Sequence, residues 1–422
     1  MKTWIQGGYL INPKTKTEGY YDVVLEDGVI ADIRLPGELS EEKSASFEIL
    51  DATGLTLVPG FIDLHVHLRE PGFEHKETIY TGTRACAKGG YTTVACMPNT
   101  KPALDTPEHI RALKAIIERD AVIEVLPVGA ITFGLAGEKL TDHKALFESG
   151  AVALSDDGKT TMSEIFMAAA LKHAREYGRF VTTHSEDHRI SGQYKDSVYP
   201  LHAETDIVER DIRLCEAVDG ILHVGHVSGA ETLDAIRKAK SKGISVTCEA
   251  TPHHFALDDT MVNVMDPQAK VNPPIRSEAH RQAVVKAILD GTVDIIATDH
   301  APHDAESKQK PYSEAAYGIS GIESAFSIAY TTLVLKNQLP MMRLVEMMTS
   351  KPASIAKINS VGSIEIGKKA NLTLLDLAAQ ITVEPDQFIS KGKNTPFRGR
   401  TFQGEVVMTL YGGEIVYKRS DN

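Results

Sequence analysis

Short apolar segments alternate with helix-patterned stretches through the middle of this chain, and that alternation limits the folds open to it. Eight strand candidates fall at 61–67, 92–97, 123–128, 151–155, 180–184, 222–227, 245–250 and 294–298. Helical patterns lie between them, at 78–88, 107–119, 162–177, 230–242 and 277–289. Strands alternating with helices argue for parallel βαβ units. Eight such units predict an α/β fold, a closed (β/α)8 TIM-like barrel. A doubly wound open sheet is the alternative. Its dinucleotide-binding form would need a Gly-x-Gly-x-x-Gly turn after the first strand, and none is present.

The two ends of the chain look different from the middle and similar to each other. The first ~55 residues read as short strands, with Asp27-Gly28 a hairpin signal. The last ~60 carry strand-like 371–376 and 405–413, closed by Gly412-Gly413. The expected organisation is a small β-sandwich domain built from 1–55 and 361–422, flanking a barrel at 56–360. No apolar run approaches the ~18 residues of a membrane span, and the Met1-Lys2-Thr3-Trp4 start has no signal-peptide core. A cytoplasmic protein that binds no membrane is expected. The formal net charge of −12 argues against a broad nucleic-acid face. Cys86, Cys96, Cys215 and Cys248 are scattered, which predicts free thiols and excludes a zinc ribbon.

Barrel enzymes place their chemistry at the C-terminal ends of the strands. Polar residues of this chain collect at those ends. The first strand ends in His65-Val66-His67, whose imidazoles share a face roughly 7 Å apart at a strand's rise. Asp156 and Asp157 end the fourth, His184 the fifth, His226 the sixth, and Asp299-His300 the eighth. One histidine at a strand end is usually structural. Several, with carboxylates, form the donor set of a divalent metal, and their number suits two ions. A carboxylate beside the activated water can take its proton and pass it to a leaving nitrogen, and Asp299 suits that role. Arg69, two residues past His67, offers a planar fork for a substrate carboxylate. His223 lies three residues from His226, on the opposite strand face, and reads as structural.

Several segments make a family visible: Pro59-Gly60-Phe61-Ile62-Asp63-Leu64-His65-Val66-His67-Leu68-Arg69-Glu70-Pro71-Gly72, Gly89-Gly90-Tyr91-Thr92-Thr93-Val94, Met97-Pro98-Asn99-Thr100, Asn272-Pro273-Pro274-Ile275-Arg276, and Ala297-Thr298-Asp299-His300-Ala301-Pro302-His303. With these the chain resembles the amidohydrolase superfamily and, within it, the class I bacterial dihydroorotases. The resemblance implies reversible hydrolysis of the cyclic amide of L-dihydroorotate to N-carbamoyl-L-aspartate in pyrimidine biosynthesis. It implies one or two zinc ions per chain. His65, His67 and Asp299 would hold one ion, His184 and His226 the other, with Asp157 between. Strand alternation does not separate Asp156 from Asp157, so that choice rests on the resemblance. Arg69, Asn99, Asn272 and His303, with the backbone at Tyr317-Gly318, would form the substrate pocket. Residues 304–320 read either as a closing lid or as a plain surface loop. His253 and His254 read as structural.

The rivals are hydantoinase- or allantoinase-type cyclic amidohydrolases and a non-catalytic scaffold. The former generally bridge their metals with a carboxylated lysine at the fourth strand. This chain has Ser155-Asp156-Asp157 there, and Lys159 lies beyond the strand end. A scaffold would be expected to lose ligands that this chain keeps. A homodimer, or a complex with another pyrimidine enzyme, is compatible with the sequence.

Overall fold

The structure, a computed structural model, describes residues 2–38 and 47–420. The expected terminal segments therefore lie outside the described residues at 1, 39–46 and 421–422. The chain enters through β1 (Lys2–Asn12), β2 (Thr17–Glu26), β3 (Val29–Arg34), β4 (Glu48–Asp51) and β5 (Thr56–Pro59). Asp27 and Gly28 turn β2 into β3 with φ of 50° and 81°, the pair of positive values that a tight type I′ hairpin requires.

The barrel follows. Its strands are β6 (Phe61–Val66), β7 (Tyr91–Cys96), β8 (Glu124–Ala130), β9 (Ala153–Ser155), β10 (Phe180–Thr183), β11 (Leu222–Val224), β12 (Val246–Ala250) and β13 (Ile295–Ile296). They pair in chain order, every pair parallel. The ring closes between its first and last members. Val66 bridges His300, and His67 N donates to His300 O at 2.8 Å. Asp63 reinforces the seam by accepting from Thr298 N at 3.0 Å and Thr298 Oγ1 at 2.6 Å.

The helices between strands begin where the sequence supplies caps. Thr78, Thr106 and Ser163 accept from backbone N–H groups at the starts of Ile79–Lys88, Pro107–Asp120 and Glu164–Glu176. Strands and helices share one core that includes Val94, Val125, Leu154, Val181, Val224 and Ile296.

The chain returns through β14 (Leu372–Thr382), β15 (Thr401–Tyr411) and β16 (Glu414–Lys418). These join β5 and β1–β3 in one mixed sheet, with β14 antiparallel to β5. The sheet curls over its own core of Ile5, Val23, Ile30, Leu57, Leu374 and Leu410. Phe402 and Val406 of β15 belong instead to the barrel core, so the terminal sheet is packed against the barrel by apolar contact.

Candidate metal centre and substrate pocket

Alternation along β6 puts Asp63, His65 and His67 on one face. Asp63 also accepts from His65 N at 3.0 Å, so the same buried carboxylate fixes the strand end and the seam. Three residues of the rim have left-handed backbone: Arg69 at φ 63°, His226 at 32° and Asp299 at 46°. Such conformations cost about 1–3 kcal/mol each and persist where surrounding structure enforces them, often at functional sites.

The strand ends bring the donors together. His65 Nε2 lies 3.2 Å from Asp157 Oδ1 and 3.6 Å from Asp299 Oδ1. His67 Nε2 lies 3.1 Å from Asp299 Oδ1 and 3.4 Å from Asp157 Oδ2. His184 Nδ1 is 2.9 Å from His226 Nε2 and 3.9 Å from Asp157 Oδ1. Two groups, His65-Asp157-His226 and His65-His67-Asp299, have ligand atoms all within 4.8 Å of one another. All these residues are buried.

Three of the four imidazoles are held from outside, with the other nitrogen facing the cluster. His65 Nδ1 contacts Glu249 Oε1 at 2.6 Å, His67 Nδ1 contacts Asn99 Oδ1 at 3.0 Å, and His184 Nε2 contacts Glu186 Oε2 at 3.0 Å. An imidazole that donates outward presents a lone pair inward, the arrangement of a metal-ligating histidine. His65 Nε2 and His226 Nδ1 are buried without hydrogen-bond partners. The donor set therefore fits a divalent cation.

The electrostatics agree. Burial opposes ionisation of Asp157, but His65, then His67 and His184, outweigh it and hold the carboxyl well below its usual range. Burial likewise opposes a charged Asp299, and the positive field of the His67 and His65 positions, which a bound cation would supply in place of their protons, holds the carboxyl below its usual range. Burial, then His184 and His65, push His226 down to about 3, so it stays neutral and able to ligate.

A cavity of about 120 Å³ opens over the cluster, lined by Arg69, Asn99, Asn272, Tyr317 and Gly318 as well as His67, Asp157, His184, His226 and Asp299. His303 stands just behind Arg69, its Nε2 3.1 Å from Arg69 Nη2 and 2.7 Å from Tyr317 O. Burial, then Arg69, lowers His303 to about 2, so its imidazole is neutral. Asn272 is set by Tyr199, whose hydroxyl donates to Asn272 Oδ1 at 2.5 Å, and by Glu186, which accepts from Asn272 Nδ2 at 2.7 Å. Gly318 has φ 127°, and a Cβ there would fall 2.6 Å from Ala301 Cβ, so only glycine fits. Segment 304–320 begins with the short helix Ala305–Lys308 and brings Tyr317 and Gly318 into the cavity wall.

The structure separates the two aspartates. Asp157 faces the imidazoles. Asp156 turns away to accept from Thr132 N at 2.9 Å, Thr132 Oγ1 at 2.7 Å and Thr161 Oγ1 at 3.0 Å. His223 points to Thr247 Oγ1 and Glu249 Oε2 at 2.8 and 3.0 Å. His254 bonds Thr251 and the Pro273 carbonyl, and His253 is buried; neither lines the cavity. Sequence reasoning missed Asp63, Glu186 and Glu249. For Asp63 and Glu249 a signal was present: each is a charged residue inside an otherwise apolar strand, which requires buried partners.

Two family profiles match: Dihydro-orotase-like over residues 54–232 and Amidohydrolase family over 290–417. A dihydroorotase of Bacillus cytotoxicus is 42% identical over 409 residues, covering 94% of each chain. One from Pelotomaculum thermopropionicum is 44% identical over 427 residues, covering 99% of this chain and 98% of its own. The chain belongs to the dihydroorotase family. Among solved structures, an L-hydantoinase from Arthrobacter aurescens superposes with a TM-score of 0.91 at 24% identity, covering 99% of this chain and 96% of its own. A dihydropyrimidinase from Brevibacillus agri gives 0.88, also at 24%, covering 99% and 95%. At that identity the likeness speaks for the fold, the amidohydrolase barrel. Membership in the dihydroorotase family brings a metal cofactor and a small-molecule substrate. Among the described residues no helix is long and apolar enough to cross a membrane.

Proposed function

We propose that this chain is a dihydroorotase, interconverting L-dihydroorotate plus water and N-carbamoyl-L-aspartate on the pyrimidine route to UMP. The observation that carries the reading is that Arg69 lines the same cavity as five of the six donors, His67, Asp157, His184, His226 and Asp299. A cyclic amide that bears a carboxylate needs both. His65, His67 and Asp299 would hold one zinc, His184 and His226 a second, with Asp157 shared. Bound there, zinc would polarise the scissile carbonyl and lower the pKa of water toward neutrality.

The chain's own groups do the rest. The Asp299 carboxylate takes the proton of the attacking water and delivers it to the leaving ring nitrogen. Arg69 pairs with the substrate carboxylate; burial lowers its pKa to about 10, so it remains a cation at neutral pH. Asn99, Asn272 and neutral His303 orient the ring without adding charge. The backbone at Tyr317-Gly318 meets the ring amides.

The hydantoinase or allantoinase reading is weaker because, among the described residues, no lysine lines the cavity over the cluster. Lys159 lines a smaller neighbouring cavity, behind His184, with Asp156 and Arg210. A scaffold role is weaker because the whole donor set is in place. We place the enzyme in the cytoplasm, as a homodimer or bound to another pyrimidine enzyme; sedimentation of the purified protein tests the assembly.

Metal analysis beside an assay of dihydroorotate ring opening tests the function. Metal-loaded protein should open dihydroorotate and lose that activity on chelation. Protein that holds metal, leaves dihydroorotate intact and opens hydantoin or allantoin would overturn the reading.

A further inference from the structure

Lys308 ends the short helix Ala305–Lys308 and is 2% exposed. Its ammonium donates to three carbonyls: Ala316 at 2.9 Å, Gly318 at 3.0 Å and Lys270 at 3.2 Å. An ammonium has three N–H donors and no acceptor, so each donor has its own carbonyl. The residues it grips carry the pocket wall. Gly318 O also accepts from Asn394 Nδ2 at 2.9 Å, and Gly318 N donates to Lys270 O at 2.9 Å. Lys270 in turn lies over the Tyr317 ring, 4.3 Å from its centroid, and donates to Ala315 O at 2.8 Å.

Resting on the dihydroorotase reading, we propose that Lys308 is a positioning residue of that reaction, whose ammonium holds the 316–318 backbone in the shape that receives the substrate ring. It bonds none of the cluster donors and does not line the cavity itself, so it acts on binding through Gly318 and leaves proton transfer to Asp299. Burial, then repulsion from Lys270, lowers its pKa to about 7, opposed by Asp266. His303 also feels its charge, and it is already neutral. A neutral amine has only two N–H donors. Deprotonation therefore removes one of the three hydrogen bonds and loosens the wall.

Steady-state hydrolysis of dihydroorotate by metal-loaded wild type, Lys308→Met and Lys308→Gln, from about pH 6 to about pH 9, tests this. Lys308→Met should raise KM about tenfold or more, with kcat within about threefold and metal content unchanged. Lys308→Gln, with two N–H donors and no charge, should fall between. Wild-type KM should climb as pH passes about 7, and both variants should lack that climb. Amide exchange of 309–318 in the wild type, corrected for intrinsic rates, should accelerate over the same range and needs no variant. A flat wild-type KM, or a Lys308→Met KM equal to wild type, overturns the proposal. So does a Lys308→Met protein in which kcat falls as far as KM rises. Failure of the underlying reading looks different: metal-loaded wild type would then leave dihydroorotate intact at every pH.

Discussion

Glu249 Oε1 lies 2.6 Å from His65 Nδ1, and that contact decides which nitrogen of the imidazole faces the metal cluster. The same oxygen accepts from His226 N at 3.1 Å, and the other oxygen holds His223. One carboxylate thus orients a donor on β6 and the backbone of another beyond β11. Glu249→Gln should weaken metal affinity by about 10- to 100-fold, read by titration against a competing chelator. Unchanged affinity would remove Glu249 from the support of the centre.

In the proposed mechanism Asp299 is both a donor to the cluster and the group that moves the proton. Asp299→Asn keeps the shape and loses the base. Turnover should fall by about 10²- to 10⁴-fold while much of the metal stays bound, as measured by metal content of the purified variant. Substantial remaining kcat would refute the shuttle.

Arg69 should matter to substrate and not to metal. A hydrogen bond to a charged group is worth about 1.5–3 kcal/mol, so Arg69→Met should raise KM by about 10- to 100-fold at constant metal content. Kinetics that match the wild type would take Arg69 out of the pocket.

Asp211 offers a test of stability away from the site. It is 1% exposed, one oxygen has no partner, and burial raises its pKa to about 6 although Arg210 pulls the other way. A carboxyl whose folded pKa exceeds its unfolded value binds more protons when native, so it lowers stability as pH rises from about 4 to about 6. Asp211→Asn removes that dependence. The variant's Tm relative to wild type should therefore increase between those pH values, followed by scanning calorimetry. A constant difference would show that Asp211 ionises normally in the fold.

The barrel was legible because its strands are short apolar runs separated by capped helices. Where the reading fell short, side chains had replaced the regular pattern. The last strand was expected over 294–298 but is regular only at Ile295–Ile296; past Ala297, whose N still donates to Ala250 O, the Asp63 carboxylate takes Thr298 N in place of a strand partner. Helix His202–Val218 was not among the helices read from pattern, since its inward face carries Glu204 and Asp211 among the apolar residues. Glu204 is satisfied there by Ser228, a partner no local period announces. The donor positions could be read because they sit at strand ends. Lys308 could not: in a polar segment it looks solvated, and only carbonyls brought in by tertiary structure bury it.

The seam between β6 and β13 joins residues separated by 235 positions, and His65, His67 and Asp299 all flank it. Contacts so distant along the chain form late, after the intervening units have docked. A ribosome-bound chain that has not yet emerged past residue 299 would lack Asp299, the donor also proposed to carry the proton. On the proposed mechanism, chemistry therefore begins only when that circle is completed.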